Sequence, residues 1–374
     1  MKSLNAIILA AGLSTRMGEF KPLLTVGSET LVERLIHVFS QNQVPVTLVT
    51  GWKQADLRAA IKNPEVTLVE NPDYRQGMFS SIQKGVGSLP ADCSGFFIMP
   101  VDTPLIRPYT VRRLQDSWEH NPDKIIYPVI NHQRGHPTLI PGSLRTTILD
   151  EQPDGGLQTI LKSRESMALE VSVPDRNILF DVDTPEDYRQ LLKRLSNSEI
   201  PTPEECQIIL QDIHIMPEDR YLHCRQVARV ALTIGEALTR KNIKVDLSLL
   251  EAAAILHDIA KGQPKHALTG GKILAEMGFG KTSEIVAAHT NLAQGKMEHS
   301  LESRIVYLAD KMVKGTDLVS LEKRFEYANS LFGVNPEVAA NIQLNKQRAV
   351  KVKNDIENIL EYPLESILTD ANTE

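Results

Sequence analysis

The stretch AIILAAGLSTRMGEFKPLL, residues 6–24, decides how the N-terminal half is read. It opens as an apolar run of strand length. It breaks at Gly12 into a loop carrying Ser14, Thr15, Arg16, Gly18 and Lys21, then turns apolar again. A glycine-bearing loop between a strand and a helix can turn backbone N–H groups toward an anion. Gly12 and Gly18 permit close backbone approach. Arg16 brings a forked donor and Lys21 a compact point charge, a pair suited to a triphosphate. The loop has neither the Gly-Lys-Ser/Thr ending of a Walker motif nor the dinucleotide fingerprint. An ordinary β–α loop with two surface cations is the plainer alternative.

Outward from this loop, short apolar runs alternate with amphipathic ones. NAIILA precedes ETLVERLIHVFSQ, PVTLVT precedes QADLRAAIK, VTLVE precedes MFSSIQKGVGSL, and GFFIMPVD precedes PYTVRRLQDSWEH. The alternation predicts a mostly parallel sheet in three layers. KIIYPVI and HPTLIP add strands, and NILFDVD is expected to be the last one. A helix follows, with Thr184 as its cap and Pro185 in its first turn. The polar, proline-containing residues 196–206 read as a linker. Beyond it, LHCRQVARVALTIGEALTRK, DLSLLEAAAILHDIAK, ALTGGKILAEMG, KTSEIVAAHT, LESRIVYLADKMVKG and DLVSLEKRFEYANSLF carry apolar residues at helical spacing. The expected domains are an α/β unit over 1–195, the linker, and an all-helical unit over 207–374.

The 374 residues exceed what one hydrophobic core usually serves. The net charge is −6, and residues 1–197 hold 21 basic and 22 acidic side chains, so neither half is a general nucleic-acid surface. Three scattered cysteines, Cys93, Cys206 and Cys224, form no disulfide or zinc pattern. The first apolar run is too short for a signal peptide, and none approaches ~20 apolar residues. The expectation is a soluble cytoplasmic protein with no nucleic-acid or membrane partner.

LAAGLSTRMGEFKPLL resembles the signature of the MobA-like molybdenum cofactor nucleotidyltransferases, which share a Rossmann-like fold. NPDYRQGMFSSIQKGV, PVDTPLI, RGHPTLIP, DGGLQTIL and FDVDTPEDY continue the resemblance in order. It implies nucleotide contacts at Leu9, Ala10, Ala11, Gly12, Arg16, Lys21, Gly77, Ser80, Ser81 and Asp102. Asp102 and Asp183 each close a predicted strand, where α/β folds bind ligands. Together the two could hold Mg²⁺; Asp181, two residues before Asp183, is a supporting partner on the same strand face. The implied reaction is nucleotidyl transfer. An acceptor phosphate attacks the α-phosphorus of a nucleoside triphosphate, and diphosphate leaves, with Lys21, Arg16 and Asp102 as the catalytic set.

The relatives that transfer a guanylyl group carry Gly-Gly after Leu-Ala, whereas this chain reads Leu9-Ala10-Ala11-Gly12. A methyl at Ala11 would narrow the base site and favour a pyrimidine. The resemblance therefore implies CTP, or another triphosphate, with a molybdopterin-type phosphate acceptor. A molybdoenzyme or its chaperone is an expected partner. Ser80 and Ser81 would serve the base or the pterin, or cap a helix. Arg134 and His136 would line the acceptor side. A sugar or alditol phosphate is the alternative acceptor.

Six of ten histidines follow residue 200. His223, His257, Asp258, His266, His289 and Asp310 fall on predicted helices beside apolar residues. A lone helical histidine is ordinarily structural; six ligand-type residues in this order point to a divalent metal such as Mn, Fe, Zn or Ni. HCRQVARVA, LLEAAAILHDIAKG, HALTGGKILAEMGF, VAAHTNL and YLADKMV resemble the HD-domain metal-dependent phosphohydrolases. The resemblance implies His223, His257, Asp258 and Asp310 as the minimal metal set. His266 and His289 complete a binuclear one bridged by Asp258. Its substrate would be a nucleotide or another phosphorylated small molecule. Lys261 would contact phosphate or sit at a solvated helix end. The alternative is a regulatory module that binds a nucleotide or metal without turnover.

Overall fold

The computed structural model describes residues 3–292 and 299–368. The chain divides into two compact units, Met1–Asn197 and Ser198–Glu374.

The main strands of the first unit are β1 Ser3–Leu9, β2 Val46–Thr50, β3 Thr67–Glu70, β4 Cys93–Pro100, β5 Ile125–Ile130, β6 Thr138–Pro141 and β7 Ala168–Ser172. They lie in the order β7-β5-β6-β4-β1-β2-β3, and Gln133–Arg134 pairs beside β5 as an eighth, short strand. β1 runs parallel to β2 and β4, β2 to β3, and β5 to β7. β6 is antiparallel to both neighbours, so the sheet is mixed in its second half. The helices are α1 Leu31–Gln41, α2 Gln54–Ala60, α3 Met78–Ser88, α4 Pro108–His120, α5 Arg145–Asp150, α6 Leu157–Lys162 and α7 Pro185–Ser196.

Side chains alternate across each strand, so both faces of the apolar run in β1 must be covered. Ile7 and Leu9 join Phe96 and Ile98 of β4 against Ile82 and Val86 of α3 and Ile148 of α5. On the other face Phe39 of α1 meets Phe97, with ring centroids 5.4 Å apart. Burying each such side chain contributes about 1.5–3 kcal/mol. α7 begins as its sequence predicts, with Pro185 in the first turn and a reciprocal capping box between Thr184 and Asp187.

NILFDVD is not a strand. Arg176–Leu179 form a 3-10 turn, and the chain then runs beside the end of β4, where Val182 N–H donates to Asp102 O at 2.8 Å. Asp175 sets that turn by accepting from Asn177 N–H. A buried aspartate at the turn outweighs the apolar run.

Gly51, just past β2, shows how tightly the first loop is seated. A Cβ there would lie 2.9 Å from the Ala11 methyl and 2.9 Å from Ala11 O. Gly51→Ala is expected to destabilise the unit by about 1–3 kcal/mol, because the crowded atoms include backbone. A urea titration reports it; an unchanged midpoint would show that the loop yields.

The second unit holds α8 Pro203–Ile208, α9 Glu218–Arg240, α10 Leu247–Leu256, α11 His266–Glu276, α12 Gly280–Ala288, α13 Leu301–Met312, α14 Leu321–Phe332, α15 Pro336–Leu360 and α16 Glu365–Leu368. A two-residue hairpin of Val313–Lys314 and Asp317–Leu318 follows α13. The 196–206 linker is therefore shorter than its composition suggests. Ser196 ends α7, and Thr202 caps α8 reciprocally with Glu205. Prolines at 201 and 203 mark a helix start here, since Pro203 occupies the first turn. α9 packs on α10 and α13, and α11 on α12. Gly271 lets α11 and α12 close, since a Cβ there would meet the Ala287 side chain at 2.8 Å. α15 lies beyond the stretches picked out by helical spacing; it buries Ala349, Val352, Ile356 and Leu360. Among the described residues no helix is long and apolar enough to cross a membrane.

Candidate functional site

In the first unit the loop after β1 folds back on Lys21. Lys21 N–H donates to Ser14 Oγ at 3.1 Å, and the residue is 8% exposed. Its ammonium lies 2.8 Å from Asp183 Oδ1 and 3.9 Å from Asp102 Oδ2. One cation thus bridges both aspartates. Arg16 Nη2 reaches Asp183 Oδ2 at 2.9 Å. Asp181 accepts from Thr103 Oγ1 at 2.8 Å and so lies beside Asp102 as well. Burial pushes the Asp102 carboxyl up to about 6; Lys21 opposes this, while Asp181 and Asp183 add to it. Asp102 and Asp183, drawn together by one ammonium, are two hard oxygen donors of the kind a divalent cation such as Mg²⁺ takes.

Asp102 and Asp181 border a cavity of about 930 Å³, also lined by Gly77, Phe79, Arg134 and His136. Gly77, at φ +106°, opens α3. Arg134 lies 4.4 Å from the Tyr127 ring and pairs with Glu165 and Glu170, so its charge is already answered. Burial lowers the pKa of His136, and its Nδ1 has no partner among the described residues.

Several expected nucleotide contacts have other duties. Leu9 is core, and Ala10 N–H is spent on Val49 O. The Ala11 methyl is buried in the same core, close to Gly51, and does not border the cavity. The steric argument for a pyrimidine therefore loses its basis. Gly12 and Gly18 are exposed with open space beside them, as a backbone approach requires. Ser80 and Ser81 both accept from Asn71 Nδ2, at 3.0 and 2.9 Å, and Ser80 donates to Gly77 O. Neither caps α3, whose N-cap is Gly77. They brace the segment before α3.

In the second unit, side chains from α9, the end of α10, α11, the end of α12 and α13 converge. Asp258 Oδ1 lies 3.5 Å from His266 Nε2 and 3.5 Å from His289 Nε2. Its Oδ2 lies 3.6 Å from His257 Nε2. Asp310 Oδ1 lies 3.4 Å from His223 Nε2 and 3.7 Å from His257 Nε2. Two triads share Asp258: His223–His257–Asp258 and Asp258–His266–His289, each with donor atoms within 4.8 Å of one another. Nδ1 of His223, His257 and His289 bonds to the carbonyls of Gly315, Ala254 and Val286, at 2.9, 2.7 and 2.7 Å. These bonds aim each Nε2 inward, as metal ligation requires. His257 Nε2 and His266 Nε2 are buried without a hydrogen-bond partner among the described residues. Orphaned ring nitrogens around carboxylates are costly unless something occupies the centre, so the set fits two divalent metals. Burial alone would raise the pKa of Asp310, but the Lys311 ammonium and the imidazoles hold it well below the usual range.

Residues 6–168 match the family model of the MobA-like NTP transferase domain, and residues 220–314 match that of the HD domain. The chain joins a MobA-like NTP transferase domain to an HD domain. Over 189 residues it is 28% identical to the molybdenum cofactor cytidylyltransferase of Escherichia coli, which covers 50% of this chain and 95% of the relative. Over 208 residues it is 26% identical to the "Probable molybdenum cofactor guanylyltransferase" of Bacillus cereus, 53% of this chain and 100% of the relative. Among solved structures, Rv0371c from Mycobacterium tuberculosis aligns over 51% of this chain and 98% of its own, with 26% identity and a TM-score of 0.46.

Two lysines border the HD cluster. Lys261, 47% exposed, is neither free nor merely solvated: its ammonium lies 3.0 Å from Asp258 Oδ2. Lys311, which the motif reading passed over, lies 2.5 Å from Asp310 Oδ2. Its position next to Asp310 in YLADKMV was the available signal. In the transferase domain the Thr103–Asp181 contact and Asn71 were missed. Nothing local in NPDYRQ marks Asn71 as the brace.

Proposed function

We propose that the N-terminal domain is a magnesium-dependent nucleotidyltransferase that joins the nucleotide of CTP to molybdopterin, and that the HD domain is a binuclear metal-dependent phosphohydrolase. The observation that carries the first reading is the Lys21 ammonium set between Asp102 and Asp183 beneath an open glycine loop. Bound to those carboxylates, Mg²⁺ would neutralise charge on the triphosphate. Lys21 and Arg16, each held by Asp183, would pass from carboxylate to phosphate oxygen. Gly12 and Gly18 leave the backbone open to the phosphates. The acceptor phosphate attacks the α-phosphorus, so no hydroxyl proton has to be removed. Positioning and charge neutralisation carry the step. The cavity lined by Phe79 and His136 suits the base or the pterin.

The preference for CTP rests on the similarity to the cytidylyltransferase and on the Ala-Gly pair, with no support from the buried Ala11 methyl. The test is to incubate the protein with Mg²⁺, molybdopterin and each of the four triphosphates and to identify the dinucleotide by mass spectrometry. Cytosine dinucleotide is expected. A guanine product would refute the base assignment, and no dinucleotide with any triphosphate would refute the acceptor. Lys21→Met is expected to lower kcat/KM for the triphosphate on the order of 10²-fold, as loss of a charged phosphate contact does. Steady-state kinetics at saturating acceptor check this.

The second reading rests on the two triads sharing Asp258. Bound metals would supply an activated water and a clamp for phosphate oxygens. The protein's own share is to hold the ligands, through the Nδ1–carbonyl bonds, and to place Lys261 and Lys311 beside them.

A further inference from the structure

We propose that the substrate of the HD site is inorganic diphosphate, the leaving group that nucleotidyl transfer releases. The proposal rests on the phosphohydrolase reading above and names its substrate. Lys261 sits on Asp258 at 3.0 Å and Lys311 on Asp310 at 2.5 Å, one ammonium for each carboxylate of the cluster. The imidazoles face both oxygens of Asp258 but only Oδ1 of Asp310, so metal ions would take the oxygens that hold Lys261 and leave Lys311 on Asp310 Oδ2. Lys261 then needs another anion, and Lys311 faces a carboxylate whose charge a metal already shares. A third cation joins them. Arg220 Nη1 donates to Lys261 O at 3.0 Å, which places a guanidinium at the same corner.

Two ammoniums and a guanidinium exceed what a monoester offers to neutralise. A phosphomonoester carries one phosphoryl group, and its departing alcohol leaves neutral once protonated. Diphosphate carries two phosphoryl groups, and both products of its cleavage are anions. A lysine at each carboxylate answers that symmetry. In the reaction a water oxygen bonds to one phosphorus, the P–O–P bridge breaks on that side, and the second phosphate departs with the bridging oxygen. One diphosphate and one water give two phosphates, with no redox change. Transfer in the N-terminal domain exchanges one phosphoanhydride for another and so lies near balance. Removing diphosphate pulls it forward.

The test uses the full chain loaded with Mn²⁺, with phosphate release measured from diphosphate, CMP and p-nitrophenyl phosphate. Diphosphate is expected to exceed both monoesters at least ~10-fold in kcat/KM, about the worth of one added charged contact. Calorimetry with methylenediphosphonate, which is not cleaved, provides a readout apart from turnover. Lys261→Met and Lys311→Met are each expected to weaken its binding ~10-fold, and Lys311→Arg to retain it, which guards against a folding defect. During nucleotidyl transfer the parent protein should release two phosphates per dinucleotide, whereas Asp258→Ala accumulates diphosphate. Hydrolysis of monoesters without diphosphate would overturn this proposal and leave the phosphohydrolase standing. A metal-loaded protein that cleaves none of the three would sink the phosphohydrolase reading itself.

Discussion

Asp102→Asn is expected to abolish nucleotidyl transfer and, at pH 8 without divalent cations, to raise the melting temperature of the N-terminal unit. Both effects come from one cause. Burial and the neighbouring Asp181 and Asp183 push the Asp102 carboxyl up to about 6, against about 3.9 for an ordinary aspartate. The folded state therefore binds this proton more tightly than the unfolded chain does. The associated stability is present below about pH 4 and is lost as the pH rises to about 6. Above that, the ionised carboxylate costs about 1–3 kcal/mol, or roughly 3–9 °C in a unit of this size. Asparagine removes the cost and keeps the shape. It also leaves Lys21 paired with Asp183. The price is the metal: transfer should fall on the order of 10³-fold. Calorimetric scans from pH 4 to 8 should show the gap between variant and parent opening across that window. Saturating Mg²⁺ should close it, by stabilising the parent alone. A variant less stable than the parent at pH 8 would contradict the crowded-carboxylate picture.

Asp258→Ala is expected to have the largest effect in the HD domain, because Asp258 belongs to both triads. Its loss strips the His266–His289 pair of any carboxylate and leaves His223, His257 and Asp310 as three donors. Metal content, measured by plasma mass spectrometry after gel filtration, should fall from two per chain to one or fewer. Phosphohydrolase turnover should fall on the order of 10³-fold or more, since both the water and the phosphate clamp are lost. His266→Ala should remove one metal only, as it touches one triad. The initial rate of nucleotidyl transfer, before diphosphate accumulates, should be unchanged in both variants. Two metals retained by Asp258→Ala would show that this carboxylate does not bridge.

Much of the candidate chemistry was legible because it is punctuated locally. The glycine loop, the Thr184–Pro185 helix start and the His257–Asp258 pair each mark a turn, a cap or a ligand type within a few residues. The strand reading of NILFDVD failed because Asp175, five residues before Phe180, turns the chain, and its buried hydrogen bonds outweigh local periodicity. The linker reading failed at residues 203–206 because proline opens a helix as readily as it interrupts one. The capping alternative for Ser80 and Ser81 failed because their partner, Asn71, becomes a neighbour only when α3 folds back.

By itself the sequence determined the order of elements, the two kinds of unit and which residue types were available to bind phosphate or metal. These follow from periodicity, caps and side-chain chemistry, which act over a few residues. Only the tertiary structure decided which groups share a counter-ion. Lys21 meets Asp183 across 162 positions, and Asp310 meets His223 across 87, by the packing of strands and helices. It also turned Ala11 into core, since whether a methyl faces a ligand or Gly51 depends on burial rather than on the residue.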